Sequence, residues 1–242
     1  MSSLLDKLLA GLPDAPLRAI LVGAHWTVVC SRGCGLASTL TGDKPHGHES
    51  VADVGDLLHK PARELAQYAL SENLLEASIG VATLNSLLEP DTSQAVEANA
   101  FEALAREGKG KNIALVGHFP FIPKLQQVAA NLWVIEQKPS PGEHPAEAAG
   151  EFIPRADLVA ITGTALINHT LEGLLALCHP EAQVMVLGPS TPLSPLLYEY
   201  GADLISGTQV VDEAAVLRTV SQGAIFRQVQ GVRLLTFRRP AT

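Results

Sequence analysis

One pattern of apolar and polar positions occurs twice between residues 157 and 195: an apolar run, a glycine, hydroxyl side chains and then helical spacing. The apolar runs, residues 158–161 and 184–187, are short, rich in branched side chains and uniformly apolar. Runs of this kind are typical of strands that are covered on both faces. The pattern therefore predicts a parallel sheet flanked by helices.

Local chemistry predicts where the two helices of this stretch begin. Asn168 precedes leucines at helical spacing and is a favourable N-cap. Thr191 followed by Pro192 gives an N-cap with proline at the first helical position, and Gly201 closes that helix. We therefore expect one helix directly behind Asn168 and another that begins at Pro192.

The loops of the repeat are candidate ligand contacts. Ligands of parallel sheets lie beyond the carboxyl ends of the strands, where helix N-termini offer unpaired N–H groups. The segments Thr162-Gly163-Thr164 and Gly188-Pro189-Ser190-Thr191 fall at such ends. The alternative is that these hydroxyls only cap helices, but two such loops side by side favour a site.

The rest of the chain predicts two parts. The pattern before residue 90 predicts a helix over 3–12, a hairpin of 17–22 and 26–31, a glycine-containing loop over 32–39, and helices over 61–70 and 74–88. A break at 90–93 places a domain boundary there, which divides the chain into residues 1–92 and 93–242. The second part is predicted to add a helix over 94–106, strands over 113–116, 132–135 and 203–205, a loop over 138–150, a helix over 211–220 and a strand-like segment over 224–237.

The residues that end two further strands are also candidates for ligand binding. The strand at 113–116 ends in Gly117-His118, but this turn lacks the G-x-G-x-x-G fingerprint of dinucleotide-binding proteins. Glu136 ends the next strand, where an acidic residue about 20 positions beyond the first loop would hold a ribose. Two interpretations stay open: Glu136 contacts a ligand, or it is a surface carboxylate.

Candidate metal ligands occur at His46-x-His48 and at Cys30-x-x-x-Cys34. A zinc site needs three or four convergent ligands, and no third ligand is evident beside the histidines. We therefore expect the loop of residues 41–50 to be exposed and free of metal, and the cysteines to be buried apolar side chains.

Composition limits the classes of protein. The 242 residues are 47% hydrophobic, which is enough for a packed core, and the net charge of -8 disfavours a nucleic-acid partner. The apolar runs are shorter than the roughly 20 residues of a membrane span. Three cysteines, which cannot all pair, and the lack of a signal region favour the cytoplasm. We expect neither a nucleic-acid nor a membrane partner.

The stretches ITGTALINHTLEGLL, VMVLGPSTPLSP and IALVGHFPFI resemble uncharacterised bacterial and archaeal proteins grouped as the heavy-metal chelation family. VGAHWTVV and SIGVATLNSLL match the first domain of that family, which resembles the N-terminal domain of enolase. The resemblance implies an α/β protein, with a small α+β enolase-N-terminal-like domain followed by a Rossmann-like parallel-sheet domain. It also implies a site at the domain interface and a link to metal chelation or anaerobic corrinoid synthesis, but no reaction. His118 stands where the family usually has an aromatic residue.

We interpret the chain as a protein that binds a small anionic ligand or a metal complex in the cleft between two domains. Hydroxyls, an amide and helix N-termini supply donors without fixed charge, and the resemblance makes a metal chelator or corrinoid precursor the ligand. The predicted ligand contacts are Gly117, His118, Glu136, Thr162, Gly163, Thr164, Asn168, Thr170, Gly188, Pro189, Ser190 and Thr191.

Two alternatives stay open. One is a nucleotide-dependent enzyme, which the missing glycine fingerprint disfavours; the other is a non-catalytic metal-handling protein, which metal binding by His46 and His48 would favour. The sequence leaves open whether the protein is an enzyme and which residues are catalytic or bind metal. A divalent metal ion is the candidate cofactor, and a homodimer is one alternative for the oligomeric state.

Overall fold

The structure, a computed structural model, describes residues 3–42, 50–97 and 100–240. His46 and His48, and with them most of the loop that we expected to be exposed and free of metal, lie outside these ranges.

A three-stranded antiparallel sheet forms the first part of the chain. Its strands are β1 (Ala19–Val22), β2 (Trp26–Cys30) and β3 (Cys34–Ser38), in the order β1-β2-β3. The hairpin expected at β1 and β2 is confirmed, but β3 stands where we expected a loop. The loop was predicted from its glycines, but Gly35 has another role. A Cβ at this position would come 2.1 Å from the Ala82 carbonyl oxygen, so the glycine allows a strand to pack closely against α3.

Three helices accompany this sheet: α1 (Leu4–Ala10), α2 (Ala62–Ala66) and α3 (Leu74–Leu87). The Asn73 side chain accepts hydrogen bonds from the first N–H groups of α3 and so fixes its start. A Cβ on Gly80 would come 1.9 Å from the Ala69 nitrogen, so only glycine lets α3 approach the segment behind α2 this closely.

A seven-stranded sheet forms the second part, in the order β10-β9-β8-β7-β4-β5-β6. All its pairs are parallel except β10 with β9, which confirms the predicted α/β class. The strands are β4 (Asn112–Val116), β5 (Asn131–Glu136), β6 (His144–Pro145), β7 (Leu158–Thr162), β8 (Gln183–Leu187), β9 (Leu204–Val210) and β10 (Val232–Arg238). The segment expected to be a loop over 138–150 therefore contains the edge strand β6.

Short helices flank the large sheet: α4 (Ala100–Glu107), α5 (Ile122–Leu125), α6 (Ala149–Phe152), α7 (Thr164–Ile167), α8 (Leu171–Ala176), α9 (Leu196–Glu199) and α10 (Glu213–Ser221). Both predicted helix starts are wrong. Asn168 follows α7 as its C-cap, and α8 begins only at Leu171. The chain after Thr191 is irregular up to α9, whose N-cap is Pro195. The Thr191 hydroxyl oxygen accepts no helix N–H, and the Thr191 N–H closes a tight turn on the Gly188 carbonyl instead.

The largest buried apolar cluster contains residues from both parts, such as Ile79 and Leu84 of α3 and Ile161 and Ile167 of β7 and α7. The two sheets share no strand, yet their layers pack on one core. The division at residue 92 stays a prediction. Among the described residues, no helix combines the length and the apolar character that a membrane crossing requires.

Candidate functional site

The predicted loops lie at one edge of the large sheet, beyond the carboxyl ends of β4, β5, β7 and β8. The Gly163 N–H donates to the Leu187 carbonyl at 2.7 Å, which joins the β7 loop to the end of β8. The Gly117 N–H donates to the Ile135 carbonyl at 3.0 Å, which joins the β4 loop to β5. The structure therefore brings these sequence-distant turns together.

Two glycines let these loops approach each other. A Cβ on Gly163 would come 2.5 Å from the Thr191 nitrogen and hydroxyl oxygen, well inside van der Waals contact. Gly188 has φ +110°, a conformation that other residues rarely adopt. Glycine is thus required for the contact between the β7 and β8 loops.

The hydroxyl side chains of these loops bond mainly to each other and to β3. The Ser38 N–H donates to the Ser190 hydroxyl at 2.9 Å, and the Ser190 hydroxyl donates to the Ser38 hydroxyl at 3.2 Å. The hydroxyls of Ser38 and Thr164 lie 3.3 Å apart, and Thr162 donates to Thr164 at 3.1 Å. These contacts dock the small sheet onto the edge of the large one, a role that the sequence did not indicate.

Asn168 and Thr170 form a separate local contact between α7 and α8. The Asn168 Oδ1 accepts from the Thr170 N–H at 3.3 Å and from its hydroxyl at 2.7 Å. His169 between them has φ +60° and its Nε2 lies 2.8 Å from the Ala69 carbonyl oxygen. Asn168 therefore stabilises a turn rather than capping a helix N-terminus, and its contact with a ligand stays a prediction.

His118 and Glu136 belong to a group of paired polar side chains at the carboxyl ends of β4 and β5. The Glu136 carboxylate accepts from the His118 N–H at 2.8 Å and from the Gln137 N–H at 2.9 Å. The His118 Nδ1 lies 2.6 Å from the carboxylate of Glu143. The hydrogen bond from the Ser140 N–H is the main cause that holds the pKa of Glu143 below its ordinary value. The contact with His118 lowers this pKa further, whereas desolvation raises it. Both Glu136 oxygens thus already bind backbone N–H groups, which favours its structural interpretation.

A cavity of about 350 Å³ lies between the small sheet, the end of α3 and the large sheet. Its wall combines the β2–β3 turn, the C-terminal end of α3, the loop behind β8, and β9. The lining residues are Arg32, Gly33, Cys34, Asn85, Leu88, Glu89, Pro90, Thr191, Leu193, Thr208, Gln209 and Val210. Thr191 alone among them belongs to the predicted contacts, so the cavity lies beside the predicted site rather than at its centre.

Buried polar atoms without partners concentrate in this wall. Within the described residues, five buried side-chain atoms lack a hydrogen-bond partner, and three of them are Asn85 Oδ1, Thr191 Oγ1 and Thr208 Oγ1. The Asn85 Nδ2 donates to the carbonyls of Leu36 at 3.0 Å and Ser190 at 3.3 Å. The Asn85 Oδ1 is therefore an acceptor that remains free. Each such atom costs about 1–3 kcal/mol in the folded state unless something binds it.

Two of the lining residues form a pair of charged side chains. Arg32 donates to the carboxylate of Glu89, and both side chains are exposed. Beside them, the Gln209 side chain accepts from Arg233 at 2.9 Å. Two arginines and one carboxylate near the cavity favour an anionic ligand.

The described residues contain one group of three potential metal ligands within 4.8 Å of one another: Cys30, Cys34 and Glu213. Cys30 and Cys34 form a disulfide, which corrects the expectation of isolated apolar cysteines. The β2–β3 register pairs them directly, and that register could not be inferred when β3 was taken for a loop.

The sequence thus identified the edge loops, but Ser38, Thr208 and the β2–β3 turn were not among the predicted ligand contacts. Ser38 and Asn85 contact the β8 loop from the small sheet and α3, so their role depends on packing between distant segments. Thr208 lies in β9, which we expected to end at residue 205. No local signal separates these residues from ordinary polar side chains.

Comparison with known proteins gives two family matches, both described as "Putative heavy-metal chelation". DUF4213 matches residues 5–88 and DUF364 matches residues 99–238. An uncharacterised protein of Methanocaldococcus jannaschii is 27% identical over 188 residues, which cover 75% of this chain and 71% of that protein.

Two solved structures, both described as DUF364-family proteins of unknown function, have a similar fold. One, from Desulfitobacterium hafniense, has a TM-score of 0.84 at 28% identity and covers 97% of each chain. The other, from Pyrococcus horikoshii, has a TM-score of 0.81 at 19% identity, covers 98% of this chain and 99% of that one, and shows the fold alone. DUF364 matches most of the second part of the chain, DUF4213 matches the first part, and the fold is that of a solved DUF364-family protein. The chain therefore belongs to the DUF364 family.

Proposed function

We propose that this protein binds a small anionic ligand, or a metal complex of such a ligand, in the cavity between its two sheets. The observation that carries the proposal is the set of free buried polar atoms on Asn85, Thr191 and Thr208. All three residues line the same cavity although they come from three distant segments. A ligand that satisfies them would offset their cost in the folded protein.

The chemistry of these atoms indicates the kind of ligand. The Thr191 and Thr208 hydroxyls can donate to anionic oxygens, whereas the Asn85 Oδ1 can only accept. A molecule with carboxylate oxygens and one N–H or O–H donor, such as an amino- or hydroxycarboxylate, meets both requirements. Such molecules chelate divalent metals, which agrees with the description of the family.

The size of the cavity supports a small ligand. Its volume of about 350 Å³ is near the lower end of the roughly 300–1,000 Å³ found for small-molecule sites. A compact chelator or a small precursor therefore suits it better than a complete corrinoid ring. A place in corrinoid metabolism would have to involve such a small molecule.

A nucleotide-dependent enzyme has less support. The Glu136 carboxylate, which would hold a ribose, instead binds the N–H groups of His118 and Gln137. We further propose that the protein has no nucleic-acid partner, because its net charge of -8 would repel the phosphate backbone. We also propose that it is cytoplasmic. A homodimer stays an alternative that size-exclusion chromatography with light scattering can test.

Calorimetric titration tests the proposed ligand class. Citrate and iminodiacetate, each alone and as the zinc complex, are the probes, since both keep an O–H or N–H donor beside their carboxylates. We expect at least one to bind the parent protein, and Thr208→Val to weaken it by about 10- to 100-fold, the loss that corresponds to a hydrogen bond to a charged group.

Thr27→Val is the matched control for this titration. Both threonines lie on strands, and Thr27 is fully buried whereas Thr208 is half-buried. The Thr27 hydroxyl is bonded to that of Thr39 at 2.9 Å, and Thr27 does not line the cavity. It should bind the probes like the parent. Failure of all four probes, or equal binding by Thr208→Val, would contradict the proposal.

A further inference from the structure

A cluster of three potential metal ligands lies where the small sheet meets α10. Cys30 ends β2, Cys34 begins β3 and Glu213 is the first residue of α10. Their sulfur and oxygen atoms lie within 4.8 Å of one another. Cys30 is fully buried, whereas Cys34 and Glu213 are partly exposed. An ion could therefore reach the cluster from the surface and be held by a buried sulfur.

The hairpin places the two cysteines for joint binding. Cys30 and Cys34 are direct partners in the β2–β3 register, with their Cα atoms 4.1 Å apart, and directly opposed residues project from the same face of a sheet. A hydrogen bond of 2.7 Å from the Ser31 N–H to the Gly33 carbonyl closes the turn between them. This register does not depend on the disulfide, so the two sulfurs stay neighbours when the bond is reduced.

We propose that the reduced Cys30–Cys34 pair, together with Glu213, forms a binding site for a thiophilic divalent cation such as Zn²⁺ or Cd²⁺. The inference goes beyond the proposed function, because it concerns an ion held directly by protein atoms at the edge of the cavity, where Cys34 is part of the wall, and not a ligand inside it. Two thiolates and one carboxylate are ligands that zinc accepts in proteins, and three protein ligands leave a fourth position for water or a small molecule.

The charges around the cluster suit a divalent ion. Two thiolates and the Glu213 carboxylate carry three negative charges. Arg18 donates to the Glu213 carboxylate at 2.6 Å and lies 3.9 Å from the Cys34 sulfur. Its single positive charge leaves the group with two negative charges, which one divalent cation neutralises.

The disulfide and the metal exclude each other chemically. A small dithiol reductant transfers two electrons and two protons, so that the protein disulfide becomes two thiols and the reductant becomes a disulfide. The cation then forms two metal–sulfur bonds and releases the two thiol protons. In the cytoplasm that we propose, disulfides are rare, so the dithiol form would be available there.

Cys178 provides the matched control cysteine. Burial raises the pKa of its thiol to about 11, with the charge of Asp203 contributing, so it stays protonated at neutral pH. Among the described residues, Cys178 belongs to no group of three potential metal ligands. Cys178→Ser should therefore leave metal binding unchanged.

The test is a cadmium titration of protein reduced with dithiothreitol and desalted without air. Ultraviolet absorbance reports cadmium–thiolate bonds, and native mass spectrometry reports stoichiometry. We expect one Cd²⁺ per chain in the reduced parent and in Cys178→Ser, and none in the oxidised parent. Glu213→Gln, a partly exposed change outside the cavity, should weaken binding by about 10-fold or more while keeping the absorbance, as expected for a lost oxygen contact.

Cys34→Ser should lose the absorbance band while melting cooperatively, since this side chain is partly exposed. Binding by Cys34→Ser or Glu213→Gln equal to that of the parent would overturn the site. So would the absence of cadmium binding in the reduced parent. Thr208→Val should bind cadmium like the parent, so failure of the cavity proposal and failure of this one are distinguishable.

Discussion

Thr208→Val should raise the stability of the unliganded protein. The Thr208 hydroxyl oxygen is buried without a hydrogen-bond partner among the described residues, in a strand where valine is a favoured residue. Valine has nearly the same shape and removes the cost of that buried oxygen. We expect a gain of about 1 kcal/mol, the lower end of the roughly 1–3 kcal/mol that an unsatisfied buried group costs.

This gain should appear as a shift in thermal melting. For a chain of about 150–250 residues, 1 kcal/mol corresponds to a Tm increase of about 2–4 °C. Differential scanning calorimetry of extensively dialysed protein measures it, because bound ligand would mask the effect. Thr27→Val is the control: it removes a hydroxyl that is bonded to Thr39, so it should lower the free energy of unfolding by about 0.5–1.5 kcal/mol.

The opposite signs of the two variants are the essential result. If Thr208→Val lowers the Tm as much as Thr27→Val, the Thr208 hydroxyl has a partner in the folded protein. The argument that a ligand completes the cavity would then lose its basis.

Three further predictions concern the edge of the large sheet. Gly163→Ala should lower the free energy of unfolding by about 1–3 kcal/mol, because its Cβ would come 2.5 Å from Thr191. Gly173→Ala, on the open face of α8, should raise the free energy of unfolding by about 0.5–1 kcal/mol. Urea unfolding measures both changes. Glu143→Gln should destabilise the protein at neutral pH, because the pKa of Glu143 is lowered in the folded state. The difference in free energy of unfolding between parent and variant should shrink as pH falls below about 4.3, the pKa of an unfolded glutamate. Urea unfolding at several pH values measures this difference. Asn168→Ala should cost about 0.5–1.5 kcal/mol by thermal melting, as expected for lost turn contacts; no change in Tm would refute this.

The fold could be predicted from the sequence where burial alone decides. The apolar runs of β4, β7 and β8 are covered on both faces, so their composition indicates a parallel sheet without knowledge of their neighbours. The β3 strand could not be predicted in this way, because its glycine is explained by contact with α3, which is distant in sequence.

The candidate site could be predicted only where strand ends define it. The loops behind β4, β7 and β8 share one edge because parallel strands point the same way. The cavity is different: Asn85, Thr191 and Thr208 meet through the packing of two sheets. The Cys30–Cys34 pairing likewise follows from a strand register and not from spacing.

The most direct test of the central claim is native mass spectrometry of protein purified without added ligand and without air. The parent and Thr27→Val should carry the same small-molecule adduct, and Thr208→Val should have lost most of it. Equal adducts on all three proteins would place the ligand outside the cavity. No adduct on any of them would contradict the proposal that the cavity binds a small ligand.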